Sequence, residues 1–225
     1  MKYMRFDVIT VFPEAFLSYI RASIIKRAQA RGLVNVHIHN LRDFTSDKHK
    51  SVDDKSYGGG PGMVIKIEPL ARALGSILKS KTKRQRTKVI LFSAAGKQFN
   101  AKMASALAKK YDHIVMLAGH YEGVDERIKA VSRDLGFRAE EISIGPYVLT
   151  GGELPAMTVI DAVSRHIPGV LGKKTSLEET RYGVGVPVYT RPEVFRWQGK
   201  NYRVPGTLLS GDHGRIEKWR KRHKQ

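Results

Sequence analysis

The chain has 225 residues, 41% of them hydrophobic, enough for one sizeable domain plus a small appendage. It contains no Cys, which removes disulfides, thiolate metal sites and cysteine nucleophiles from consideration. Forty Lys and Arg against 21 acids give a net charge of +19, an excess that points to a polyanionic partner, and nucleic acid fits better than a membrane surface. The N-terminus, Met1-Lys2-Tyr3-Met4-Arg5-Phe6-Asp7, carries charges where a signal peptide needs an apolar core. No apolar run approaches the roughly 18 residues needed to span a bilayer. A soluble, cytoplasmic protein without membrane contact is expected.

Met4 to Val11 reads as a buried strand ended by Pro13. From Glu14 to Arg31, Leu17, Ile20, Ile24 and Ala28 recur at helical spacing and Gly32 supplies the stop, which predicts one helix. Val34 to Asn40 alternates apolar and polar residues, a half-exposed strand with His37 and His39 facing solvent. Residues 41–62 form a long polar loop, and a helix from about Glu68 to Leu78 follows, opening with Pro69. Lys79 to Lys88 is too charged to pack and reads as a flexible loop. Beyond it the pattern gives a strand at Val89–Phe92, a helix capped by Asn100 and running to Lys110, and a strand at Ile114–Ala118. A short helix capped by Asp125, a short strand at Ile142–Ile144 and a helix from Glu153 to His166, stopped by Pro168, complete the alternation. Strands alternating with helices predict an α/β fold with a largely parallel sheet. Residues 169–190 read as a linker, and 191–225 as a small helical unit whose last helix is capped by Asp212 and displays Arg215, Lys218, Arg220, Arg222 and Lys224.

Three dense clusters of Gly, acid and aromatic residues stand out. They are Tyr57-Gly58-Gly59-Gly60-Pro61-Gly62-Met63, Gly119-His120-Tyr121-Glu122-Gly123-Val124-Asp125-Glu126-Arg127, and Ser143 to Pro155 with its Gly151-Gly152-Glu153 turn. Glycine lets backbone approach a ligand or another segment closely, so three such loops suggest one composite pocket. The familiar nucleotide loops are absent. No Gly-x-x-x-x-Gly-Lys-Ser/Thr occurs, no apolar strand precedes Gly58-Gly59-Gly60, and there is no Gly-x-Ser-x-Gly elbow.

The three clusters resemble those of the bacterial tRNA (guanine-N1-)-methyltransferases, knotted enzymes of the SPOUT class that act on guanosine-37 beside the anticodon. The resemblance extends from Phe6 to about Trp219 and includes Arg42-Asp43-Phe44-Thr45, Val52-Asp53-Asp54, Ser164 to Gly172, Tyr189-Thr190-Arg191-Pro192-Glu193 and Leu208 to His213. It implies a deep trefoil knot within a domain of residues 1–168, a linker over 169–190 and a shortened helical tRNA-binding domain over 191–225. It also implies a homodimer with shared active sites, and bound S-adenosylmethionine. Carried over by position, the knot loops would be Leu91 to Gly96, Gly119 to Gly123 and Ile144 to Gly152, with cofactor contacts at Leu91, Phe92 and Ala94; Gly119, Tyr121, Glu122 and Gly123; and Ile144, Gly145, Pro146, Tyr147, Val148, Leu149, Gly151, Gly152 and Pro155. His49, Asp53, Pro61 and Gly62 would flank the flipped guanine.

Guanine N1 carries a proton and is a poor nucleophile at neutral pH, so transfer needs a base for that proton and a cation for charge developing on O6. By resemblance Arg165 is the cation. The base lies in the linker, where the family has Asp and this chain has Ser176-Leu177-Glu178-Glu179-Thr180-Arg181, one residue shorter. Glu179 is the first choice and Glu178 the second. No resident metal is expected, with Mg2+ an optional participant in catalysis. Two other readings remain open: a knotted methyltransferase acting on ribose 2′-oxygen or ribosomal RNA, and a silent RNA-binding module that kept the knot.

Overall fold

Met4–Thr10 is buried at almost every position, as a strand covered on both faces must be. In the computed structural model, which describes residues 3–79, 86–172, 177 and 185–223, this strand is β1. After it come α1 (Glu14–Ile20), α2 (Ser23–Ala30), β2 (Val34–Asn40), a 3-10 turn at Leu41–Phe44, β3 (Asp53–Asp54), β4 (Val64–Ile65) and α3 (Ile67–Lys79). The sequence continues through β5 (Thr87–Gln98), α4 (Ala101–Lys110), β6 (His113–Leu117), α5 (Ile128–Asp134), β7 (Ala139–Ser143) and α6 (Glu153–Ser164). β8 (Val194–Trp197), β9 (Lys200–Arg203), α7 (Gly206–Leu209) and α8 (His213–Arg222) follow. The chain divides into two compact units, residues 1–172 and 173–225.

The first unit is an α/β layer structure. Its five-stranded sheet has the order β2-β1-β6-β5-β7, and every pairing is parallel. Apolar residues cover both faces. Phe6, Val8, Ile90 and Met116 pack with Phe16, Ile25, Ala104 and Val159 on one side. Ile9, Val89, Val115 and Leu117 pack with Leu70, Leu74, Ile77 and Ile128 on the other.

Several local expectations change. The helix predicted over Glu14–Arg31 is two helices, broken where Ala22 is extended and Ser23 takes a φ of 44°. The break re-phases the buried face. Phe16 and Ile20 are buried in α1, Ile25 and Ala28 in α2, and Leu17 is exposed, whereas one continuous helix would turn Ile25 about 140° away from Ile20. Gln29 Nε2 donates to the Ile20 carbonyl at 2.8 Å and satisfies an end of α1. Asn100 and Asp212 do cap their helices, accepting from the N–H of Met103 and Arg215 at 3.0 Å each. Asp125 does not. Its side chain takes the Arg127 N–H at 3.0 Å in the turn before α5, whose cap position is Arg127.

The predicted loop at Lys79–Lys88 gives up Thr87 and Lys88 to β5, where Lys88 pairs with Glu140 at 2.6 Å. Its Ser80–Gln85 portion lies outside the described residues. β5 also runs far past Phe92, with a register shift against β7 between Phe92 and Lys97. Gly96 makes the return possible, because a Cβ there would lie 2.6 Å from the Ile142 backbone nitrogen. The extra residues bulge out between the two paired stretches.

His39 is not a solvent-facing residue of an alternating strand. Its Nε2 lies 2.6 Å from the carboxylate of fully buried Asp7, which also meets His113 Nε2 at 2.6 Å and the Arg5 guanidinium at 2.6 and 2.9 Å. Burial pushes the Asp7 carboxyl up, but the His113, His39 and Arg5 hydrogen bonds outweigh it and hold the group far below the usual carboxylate range. Burial lowers the neighbouring His37 below the ordinary imidazole value.

The second unit differs from a purely helical one. Its β8 and β9 pair as an antiparallel hairpin, and α7 and α8 follow.

Candidate functional site

β6, β5 and β7 lie side by side in the sheet and all point the same way, so the segments leaving their C-terminal ends emerge together. In open parallel sheets that edge is where ligands bind. Here the segments enclose a cavity of about 440 Å³. β5 supplies Leu91 to Ala95, the segment after β6 supplies Gly119 to Val124, and the segment after β7 supplies Ile144 and Tyr147 to Gly152, with Pro155 from α6.

Hydrogen bonds tie these segments to one another. Gly152 N–H donates to the Gly119 carbonyl at 2.7 Å, and His120 bridges Gly151. A Cβ at position 152 would lie 2.6 Å from Ala118 Cα and 2.9 Å from Gly119 N, so only glycine allows the crossing. Behind the crossing, the buried Glu153 accepts from Thr10 Oγ1 at 2.7 Å, fixing the start of α6 to the end of β1. The His120 ring packs edge-on against Phe12 and Tyr121, with Nδ1 3.7 Å from Glu153 Oε2. Tyr121, on the cavity wall, holds a φ of 59°, a conformation that costs a non-glycine residue energy and marks an over-determined loop.

Of the sequence-predicted cofactor residues, Leu91, Phe92, Ala94, Gly119, Tyr121, Glu122, Gly123, Ile144, Tyr147, Val148, Leu149, Gly151, Gly152 and Pro155 line the cavity. Gly145 and Pro146 sit in the turn just behind the wall. There Ser143 Oγ donates to the Gly145 carbonyl at 2.8 Å. His120 and Thr150 on the lining fall within the loops named from sequence, whereas Glu126 and Glu141 were missed. His120 lay within a singled-out cluster, whereas Glu141 sits on a strand whose pattern gave no sign of a site.

The triple-Gly loop joins the cavity only at its end. Gly58, Gly59, Gly60 and Gly62 all have φ between 79° and 111°, which explains why the loop is glycine. Met63 O accepts from Glu122 N at 3.0 Å, and a Cβ on Gly62 would strike the Glu122 side chain. Pro61 and Gly62 are exposed beside the cavity, while exposed His49 and partly buried Asp53 do not line it. Arg165 is partly buried just past the far end of α6, its N–H donating to the Asp161 carbonyl at 3.2 Å. Glu178 and Glu179 lie outside the described residues.

The cavity's electrostatics run against the chain. Among the described residues its lining contains Glu122, Glu126 and Glu141 and no Lys or Arg, in a protein of net charge +19. Lys129, from α5, pairs with Glu126 and, at 2.9 Å, with Glu141. Backbone edges, apolar walls from Leu91, Phe92, Ile144, Leu149 and Pro155, and carboxylates suit a small ligand with a flat apolar part and a positive charge. Among the described residues, no group of three or more His, Asp or Glu is placed to hold a metal ion. No helix among them is long and apolar enough to cross a membrane.

Fold and cavity thus define an α/β protein that builds its ligand site from backbone loops at the C-terminal edge of a parallel sheet. The family described as tRNA (Guanine-1)-methyltransferase TrmD matches this chain over residues 4–225. The tRNA (guanine-N(1)-)-methyltransferase of Dictyoglomus turgidum is 48% identical over 222 residues, covering 97% of this chain and 84% of that protein. The same-named proteins of Carboxydothermus hydrogenoformans and Moorella thermoacetica are 45% and 47% identical, with 97% of this chain and 82% and 84% of theirs covered. The chain belongs to the tRNA (guanine-1)-methyltransferase family, a family of enzymes.

Proposed function

We propose that this chain transfers the methyl group of S-adenosylmethionine to N1 of guanosine-37 in tRNA. It does so in the cytoplasm, as a homodimer in which each site is completed by the partner copy. The observation that carries the reading is the loop-built cavity with three carboxylates and, among the described residues, no Lys or Arg, in a member of this family. S-adenosylmethionine brings a sulfonium-activated methyl group, so no enzyme nucleophile is needed. The three loops cradle the adenine and ribose with backbone edges, and Leu149 and Pro155 pack the adenine face. Glu122 offers negative charge toward the sulfonium. The proposal includes the trefoil knot, and the backbone contact of residues 119 and 152 supports it.

On the substrate side, Arg165 holds charge developing on guanine O6 and Glu179, with Glu178 as second choice, removes the N1 proton. The guanine leaves its stack and rests against Pro61 and Gly62, flanked by His49 and Asp53. α6 begins at the cavity and has 12 residues, so Arg165 follows about 18 Å of helix rise. A guanidinium side chain does not close that gap within one chain, which supports a site assembled from two copies. Exposed Leu17 and Leu154 offer apolar surface for such an assembly. Residues 191–225 grip the RNA beyond the linker.

The test is to incubate tRNA transcripts with the protein and S-adenosylmethionine and analyse the digested nucleosides by mass spectrometry. One 1-methylguanosine per tRNA is expected, lost when position 37 is changed to adenosine. Methyl groups on ribose, or none at all, would overturn the reading.

A further inference from the structure

The C-terminal unit carries a surface that the methyl-transfer chemistry leaves unused. β8 and β9 are joined by Gln198 and Gly199, both with positive φ (46° and 74°), the geometry of the tight hairpin turn that matches the natural twist of two strands. The turn fixes the register. Phe195 pairs with Tyr202 and Trp197 with Lys200, while Val194, Arg196, Asn201 and Arg203 take the other face. One face of a two-stranded ribbon therefore presents Phe195, Trp197 and Tyr202 together, 51%, 57% and 54% exposed. The Phe195 and Trp197 rings are near-parallel, at 14° with centroids 6.2 Å apart, and Tyr202 lies 6.3 Å from Phe195.

Three large aromatic rings held in water cost free energy unless something covers them. The surrounding charge says what. Residues 185–223 contain nine Lys or Arg against three acids, with Lys200 on the aromatic face itself and Arg196 and Arg203 on its back. A neutral apolar partner would not call for the charge, and an acidic partner without rings would not call for the exposed aromatic face. A strand with unpaired bases does, since every base has a π-face to stack and every phosphate a negative charge. Resting on the reading that the partner is RNA, we infer that the β8–β9 hairpin is a stacking platform for unpaired bases of the bound RNA, with Phe195 at its centre, Trp197 at its turn end and Lys200, paired with Trp197, holding the adjoining phosphate.

The test uses the full chain with Trp219→Phe, which leaves Trp197 as the sole tryptophan, and two probes. One is an unstructured oligoribonucleotide of about 12 nucleotides and the other a blunt RNA duplex of about the same length. Trp197 fluorescence should be quenched by the single strand and not by the duplex. Trp197→Ala should weaken single-strand binding roughly 5- to 150-fold with no change in its salt slope, and Trp197→Phe should restore most of it. Equal quenching by the duplex, or unchanged affinity in Trp197→Ala, Phe195→Ala and Tyr202→Ala alike, overturns the inference. So does a shift of the alanine variants from dimer to monomer in sedimentation with RNA binding intact, which would make the face a contact between copies. Intact 1-methylguanosine formation without stacking sinks this inference alone. Stacking without 1-methylguanosine sinks the functional reading alone.

Discussion

The cavity at the sheet edge and the C-terminal unit are built by opposite means. The cavity is lined by backbone, small residues and carboxylates, and its shape depends on chain crossings such as Gly152 against Ala118. The C-terminal unit offers exposed side chains, aromatic and cationic, on short elements. One arrangement suits a small cation that must be held in a single pose, the other a large polyanion gripped at many weak points. The net charge of +19 is spread over both units and does not describe the lining of the cavity. Among the described residues, no Lys or Arg lines the pocket where a cationic ligand would sit.

The comparison breaks most visibly at the chemistry that would link the two regions. Glu179→Gln should reduce methyl transfer by roughly 10²–10⁴-fold while cofactor and tRNA still bind, read by single-turnover kinetics. Full activity in Glu179→Gln together with loss in Glu178→Gln would move the base by one residue, and full activity in both would remove it from this linker.

Gly152→Val should cut S-adenosylmethionine affinity roughly 5- to 150-fold in calorimetry, the equivalent of about 1–3 kcal/mol of overpacking against the residue 118–119 backbone. Gly119→Val should do less, because the nearest atom to its Cβ is the movable Val124 Cγ1 at 3.1 Å. Neither should alter affinity for an unstructured RNA. Equal losses for both ligands would erase the distinction between the regions.

Asp7→Asn tests the scaffold of the cavity unit. Its carboxyl is depressed in the folded state, so its stabilisation is present above the unfolded value near 4 and fades as pH falls below it. Asn at this position should cost about 3 kcal/mol at neutral pH. In urea titrations the gap to the unsubstituted protein should stay flat above about pH 5 and narrow in acid. A gap independent of pH down to about pH 3 would show that Asp7 stabilises by shape, not charge.

The smallest change falls on the basic helix. Replacing Arg220, Lys221 and Arg222 with Ala should lower the slope of log RNA affinity against log salt by about 2 to 3. S-adenosylmethionine affinity should stay where it was. An unchanged slope would mean that α8 does not meet phosphate.

Periodicity gave α3, α4 and α6 because their apolar residues face a single core, and β1 because its apolar run marks a strand buried on both faces. It failed at Glu14–Arg31, where one residue of slip at Ser23 re-aims the buried face, and no local signal marks a slip that only packing against the sheet requires. It failed again at His39, whose alternation with Ile38 looks like solvent exposure until Asp7, 32 residues earlier, arrives beside it.

The sequence by itself determined the α/β class, the basic character and the three glycine clusters, since those are matters of composition and spacing along the chain. Most of the cavity's residues could be named from motifs, because glycine and acid patterns are local. That the clusters share one wall was decided only in three dimensions, by parallel strands β6, β5 and β7 ending side by side. The acidic sign of that wall was decided the same way. Glu141 is an ordinary strand acid in sequence, and it joined Glu122, which its glycine cluster had marked, because backbone without side chains let their segments meet.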